Sequence, residues 1–201
     1  MALTLYTNPM SRGRIARWML EEIGQPYETI VLDYGPAMQT PDYLAINPMG
    51  KVPVLVHDGR VVSECAAICA YLADAFPQAG LLPDDRSAYF RWLFFAAGPL
   101  EAAVTNKAVG LEAPAERRQM LGYGNYDLAC KALDFAVSQA PFIAGDSFSA
   151  ADVYVGSQVG WGLQFGTLPE TEALARYWAR IKDRPARLKA DAADNALVPK
   201  E

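Results

Sequence analysis

Proline at position 53 constrains this chain more than any other residue. It has no N–H to give to a sheet ladder, so it is tolerated at a strand's first residue, at an edge or at a bulge. The residues after it have the make-up of a strand, Val54-Leu55-Val56. Asp58-Gly59 separates that run from Val61-Val62. This dipeptide suits a two-residue hairpin, because both central residues need positive φ. Ser63 then stands where an N-cap would, ahead of an apolar-periodic stretch through Ala66, Ala67, Cys69, Ala70, Tyr71 and Leu72. A helix is predicted over 63–75. Val52, before the proline, is pushed towards an extended conformation. Two readings follow. Pro53 only ends a loop, or the N–H and C=O of Val52 are left to pair with an extended peptide-like ligand by strand addition. Glu64 has the same duality. It is a plain capping acid, or with Cys65 it opens a helix whose positive end holds a carboxylate or phosphate.

Upstream, Leu3 to Tyr6 reads as a strand and Ser11 to Ile23 as a helix stopped by Gly24. Tyr27 to Leu32 reads as a second strand, and Thr40 to Ile46 as a short helix. This βαβ-then-ββα order resembles the thioredoxin-like fold, without its redox Cys-x-x-Cys. The expected class is therefore α/β plus all-α. Residues 1–76 form a thioredoxin-like domain, 77–86 a Pro/Gly/Asp-rich linker, and 87–201 an all-helical domain. Within the latter, Arg91 to Val109 continues a long helix bent at Gly98-Pro99. Pro114 to Gln139, Ser149 to Leu163 and Thr171 to Asp183 are further predicted helices. Ser149 and Asp152 make a capping-box-like pair with a structural role. The Ala-rich segment after Pro185 is expected to pack weakly or fray.

Composition narrows the function classes. The 201 residues carry a net charge of −5, which argues against a nucleic-acid partner. No apolar run approaches the ~20 residues that span a membrane, and no secretory leader is visible. Three cysteines without paired spacing suit a reducing, cytoplasmic location. They read as small buried apolar groups. His57 is the single histidine, so neither a metal site nor a Ser-His-Asp triad is expected.

Val52-Pro53 followed by Glu64-Cys65-x-Ala67-Ile68-x-x-Tyr71-Leu72 is similar to the cytosolic glutathione S-transferase family, whose pattern there is Val–cis-Pro and then Glu-Ser-x-Ala-Ile-x-x-Tyr-Leu. Leu3-Thr4-Leu5-Tyr6, the Ser11 to Glu22 helix and Gly145-Asp146-Ser147-Phe148-Ser149-Ala150-Ala151-Asp152 extend the resemblance over nearly the whole chain. It implies a bacterial-type, serine-type transferase that conjugates glutathione, its co-substrate, to small hydrophobic electrophiles in detoxification, as a cytoplasmic homodimer without metal. Pro53 would be cis, and Val52 would pair with the cysteinyl part of glutathione. Glu64 and Cys65 would hold its γ-glutamyl end, and Gln39 and Lys51 complete the glutathione-binding set. Cys65 departs from the family's Ser, and a thiol is the weaker donor. A binding or interaction module with little catalysis is the alternative. A glutathione-dependent thiol transferase or peroxidase is another, but the first loop lacks the cysteine that a thiol transferase needs.

A thiol of pKa ~8.5 is only ~3% ionised at pH 7, and lowering its pKa by about two units needs ~2.7 kcal/mol of anion stabilisation. A hydroxyl aimed at the sulfur and a helix start can supply it. Ser11, two residues after Pro9, matches the serine-type position and is the expected donor; its plainer reading is a cap of the helix. Thr7, Asn8 and Tyr6 are fallbacks, and Arg12 or Arg14 could add positive charge. Met10, Tyr89, Trp92, Phe95, Tyr123, Trp161 and Phe165 are candidate walls for an apolar second substrate, although ordinary helix core is the plainer reading of each taken singly.

Overall fold

The strand after Pro53 forms as its sequence requires, and a sheet is built around it. The structure, a computed structural model, describes residues 2–198. Strands β1 (Leu3–Thr7), β2 (Glu28–Val31), β3 (Val54–His57) and β4 (Arg60–Ser63) lie in the order β2-β1-β3-β4. β1 is parallel to β2 and antiparallel to β3, and β3 pairs antiparallel with β4, Val54 opposite Ser63. Asp58 and Gly59 both take positive φ, 47° and 80°, as the tight hairpin demands. Alternation along β1 buries Leu3, Leu5 and Thr7 on one face.

Helices α1 (Gly13–Ile23) and α3 (Cys65–Ala75) pack together in this unit. Leu5, Leu20, Leu55, Ile68 and Leu72 are wholly buried, each worth ~1.5–3 kcal/mol before the entropy cost. α1 ends at Gly24, in the left-handed region at φ 68°, whose N–H bonds to the Leu20 carbonyl. Met38, Tyr43 and Val54 make a satellite core, with Tyr43 on α2 (Pro41–Ile46).

The chain divides into two compact units. One runs to Gly80 and resumes at Arg184; the other is Leu81–Asp183. The expected frayed tail is instead helix α9 (Pro185–Asn195), which packs on α1 within the first unit. Arg17 Nε donates to Asp194 Oδ1 at 2.8 Å, with both residues buried. Glu22 accepts from Arg184 Nε and Nη2 at 2.6 and 2.7 Å, and Lys189 pairs with Glu21 at 2.6 Å. Paired charges on both helices hold a segment whose apolar content alone is small.

The second unit is helical. α4 (Ser87–Phe95) passes through a π-helical turn over Ala96–Leu100 into α5 (Glu101–Ala108). Where a bend was expected at Pro99, the wider turn accommodates a residue with no N–H. The predicted helix from Pro114 is a correction. A 3₁₀ turn (Ala115–Met120) gives way to a loop, and α6 (Tyr126–Ser138) starts only after Gly124, at φ 66°. Asn125 caps it, accepting from the Leu128 N–H at 2.9 Å. α7 (Ala150–Gln164) and α8 (Glu172–Ile181) complete the unit. Ser149 precedes α7, and Asp152 stands in its first turn. The buried Asp152 carboxylate accepts from the Ile143 and Ser149 N–H groups and from the Ser149 and Tyr177 hydroxyls, at 2.7 to 2.9 Å.

Candidate active site

The first unit brings together the starts of α1, β3 and α3. The Val52–Pro53 peptide is cis. Two buried side chains secure the turn before it, since Tyr43 Oη and Asn47 Nδ2 both donate to the Lys51 carbonyl at 2.7 Å. Among the described residues, no loop hydrogen bond takes up the N–H or C=O of Val52. Continuing the Val54–Ser63 register sets Val52 across from Cys65.

Ser63 is not the N-cap. It ends β4 in a ladder pair, and Glu64 takes the cap position at φ 68°, ψ 122°, without a side-chain cap bond. A non-glycine residue there costs ~1–3 kcal/mol and needs its surroundings to hold it. Glu64 is exposed and Cys65 buried. The Cys65 thiol donates to the Arg12 carbonyl at 3.4 Å, so α3 begins directly beside the start of α1. Gln39 is exposed above Gly50, where a Cβ would come within 2.4 Å of Gln39 Nε2. Lys51 is exposed, on the same turn.

The loop after β1 is closely held. Asn8 Nδ2 donates to the Leu32 carbonyl at 2.8 Å, and its Oδ1 accepts from the Met10 N–H at 2.9 Å. The half-buried Ser11 hydroxyl donates to the Asn8 carbonyl at 2.7 Å and accepts from the Gly13 N–H at 2.9 Å. Its single proton is thus directed at the backbone in this conformation, and α1 is capped by the loop rather than starting at Ser11. Thr7 is fully buried, with no hydrogen-bond partner for Oγ1 among the described residues. A Cβ at position 13 would fall 1.9 Å from that atom, so only glycine lets α1 approach β1 this closely. Tyr6 lies on the opposite face of the sheet, its ring 5.7 Å from that of Tyr43.

The candidate apolar walls are dispersed. Met10 is 69% exposed in the first unit. In the second, Tyr89 is wholly buried and packs edge-on against Phe90. Trp92 is buried and makes an edge contact with the half-buried Phe95. Trp161 is half-buried, and Phe165 is 68% exposed. Tyr123 lines a cavity of about 190 Å³ with Lys107, Arg118 and Tyr126, which sequence reasoning had not singled out. Lys107 Nζ lies 3.6 Å from the centre of the Tyr126 ring. Burial pushes the Cys69 thiol well above its ordinary range and the Cys130 thiol upward, so neither is primed as a nucleophile. Among the described residues no cluster of His, Cys, Asp and Glu could hold a metal ion, and no helix is long and apolar enough to cross a membrane.

Residues 10–75 match the family profile described as "Glutathione S-transferase, N-terminal domain". Glutathione S-transferase hmp2 of Hypomyces subiculosus is 29% identical over 96% of this chain and 99% of its own length. Glutathione S-transferase 2 of Saccharomyces cerevisiae is 31% identical over 73% of this chain and 69% of its own. Among solved structures, a sphingomonad glutathione S-transferase complexed with glutathione superposes with a TM-score of 0.74 at 28% identity, covering 96% of this chain and 98% of that one. The chain belongs to the glutathione S-transferase family, and its fold is the expected one, a thioredoxin-like domain followed by a helical part.

Proposed function

We propose that this protein is a glutathione transferase in which Ser11 activates the glutathione thiol for attack on a small hydrophobic electrophile. The observation that carries the reading is the pairing of an unengaged Val52 backbone at a cis proline with an α3 start that has no side-chain cap. An extended tripeptide fits both. Its middle residue adds to Val52 as a strand would, and its γ-glutamyl carboxylate meets the positive end of α3 beside Glu64 and Cys65. Gln39, which lies over Gly50, and the exposed Lys51 after it face the remaining polar groups. The sulfur is then directed towards the loop that carries Ser11. When glutathione binds, the Ser11 hydroxyl turns from the Asn8 carbonyl to donate its hydrogen bond to the sulfur, the thiol proton leaves to solvent, and the thiolate is stabilised. Holding two reactants together makes the addition effectively unimolecular.

In the second unit Tyr123, Trp161 and Phe165 retain accessible surface for an apolar electrophile, and in the first Met10 does, whereas Tyr89 serves the helical core. Phe90 and Phe94, exposed on α4 with ring centres 6.1 Å apart, suit burial against a second copy in a homodimer. Three cysteines, none of them in a disulfide, suit a cytoplasmic setting.

The Ser11→Ala variant tests the assignment. Turnover of 1-chloro-2,4-dinitrobenzene should fall well beyond twofold, while retention on immobilised glutathione persists. A near-wild-type rate removes Ser11 from the role. One observation favours a second reading, binding without turnover: the hydroxyl proton is directed at Asn8 rather than outward. Wild-type protein that binds glutathione yet conjugates no electrophile in a panel would establish it.

A further inference from the structure

Among the described residues, α9 reaches the Ser11 loop through one side chain of α1. Arg14, on α1, donates from Nε to the Pro9 carbonyl at 2.6 Å and from Nη2 to Asn195 Oδ1 at 2.9 Å. Its Nη1 lies 4.0 Å from Asp191 Oδ1, one turn earlier on α9, and Asp191 is paired with Arg187 at 2.9 Å. The guanidinium is a rigid planar fork, so fixing one edge fixes the direction of the other. We propose that α9 positions the Ser11 loop for catalysis, with Asn195 and Asp191 orienting Arg14 and Arg14 holding the Pro9 carbonyl. The proposal rests on the reading of Ser11 given above.

Pro9 has no N–H, so its carbonyl is the one polar group by which it can be held. Asn8 and Ser11 are tied on either side, by Asn8 to the Leu32 carbonyl and by Ser11 to the Asn8 carbonyl. The peptide between them is held at its N–H by Asn8 Oδ1, which accepts from Met10 at 2.9 Å, and among the described residues Arg14 is the side chain that holds its carbonyl. A charge-assisted bond is about twice as strong as a neutral one, and a ~1 Å misplacement of a reacting group can cost ~10²-fold in rate. The contact is not needed to dock α9. Arg17 with Asp194, Glu22 with Arg184 and Glu21 with Lys189 already hold that helix to α1. Among the described residues, Asn195 alone on α9 hydrogen-bonds the side chain that reaches the loop. Arg14 and Asn195 are positioning residues, acting through Pro9 on Ser11.

Steady-state kinetics with glutathione and 1-chloro-2,4-dinitrobenzene, run beside thermal unfolding, test this on the full chain. Asn195→Ala should lower kcat about fivefold, leave KM for glutathione within about twofold and move Tm by no more than about 2 °C. Asn195→Asp, which still accepts from Arg14, should restore most of the rate. Arg14→Lys should lose at least as much as Asn195→Ala, because one ammonium cannot bridge Pro9 and Asn195. Lys189→Ala, on the same helix, should be unchanged in rate. Wild-type kcat in both Asn195→Ala and Arg14→Lys, or a loss that tracks only the folded fraction, overturns the proposal. If Ser11→Ala is inactive while those two variants are silent, the positioning role fails and the Ser11 reading stands. If the wild type binds glutathione without conjugating any electrophile, both fail together.

Discussion

Two helices of this protein begin with similar residues and end up with opposite N-termini. α7 opens on Ser149 with Asp152 inside its first turn, and α3 opens after Ser63 with Glu64 at its cap. At α7 the acid folds back. Asp152 is wholly buried and gathers donors from Ile143, Ser149 and Tyr177, so the protein's own side chain closes that end. Burial raises its carboxyl above the ordinary range, and its hydrogen bonds oppose that rise. At α3 the acid sits outside the helix, exposed, in a backbone conformation that glycine prefers. Among the described residues no side chain caps the turn, and on the proposed reading its positive end is left for the carboxylate of glutathione. A closed start adds stability. An open one, on the proposed reading, gives up stability for a binding surface.

The sharpest break of this contrast is Asp152→Ala. It leaves several inward-facing donors without an acceptor, and losing a buried charge partner of this kind costs ~3–5 kcal/mol. Denaturant unfolding should show that loss, while glutathione affinity per folded molecule stays at the wild-type value. A shift below about 1 kcal/mol would mean that the α7 start is not the stability element the geometry describes.

Glu64→Gly is the converse. Relief of strain, ~1–3 kcal/mol, exceeds the ~0.5–1 kcal/mol that glycine costs in chain entropy. Unfolding should therefore show an unchanged or raised midpoint. Calorimetry should show glutathione binding weakened about tenfold, equivalent to ~1.4 kcal/mol. A variant that is both destabilised and a normal binder would contradict the open-end reading.

The same two regions show where sequence was readable. The hairpin at Asp58-Gly59, the stop at Gly24 and the Ser149–Asp152 pair are local chemistry, and each formed where its residues require it. Ser63 misled because cap preference and strand pairing compete, and the ladder to Val54 won. The helix placed from Pro114 overlooked Gly122 and Gly124, which break it. α9 was illegible for another reason. Its anchors join Arg17, Glu21 and Glu22 to partners more than 160 residues away, and no periodicity signals such pairs. In the site, Val52, Pro53 and Glu64 stood out through a motif. The supporting side chains Tyr43 and Asn47 did not, and Asn8 and Arg14 did so only as candidates for other roles, a donor and a positive charge near the sulfur, because the partners of all four are backbone carbonyls whose positions only folding defines. The Asn47-Pro48 turn was the one available signal for that shell.

The smallest expected effect concerns Cys65, within the open α3 start. Its thiol points at the Arg12 carbonyl, so the contact it makes is internal to the protein and joins the two helix starts. A serine hydroxyl is a stronger donor than a thiol and reaches its acceptor at a shorter distance, ~2.7–2.8 Å. Cys65→Ser therefore keeps the tie or strengthens it, with a stability change under about 1 kcal/mol. Glutathione affinity should be retained or improved, because the backbone N–H groups of the helix start, which meet the carboxylate, are left in place, and a hydroxyl that turns to the carboxylate donates better than a thiol. Titration calorimetry of the variant beside the wild type decides. A clear loss of affinity would show that sulfur itself contributes at this position, and that the open end of α3 was fitted around a thiol.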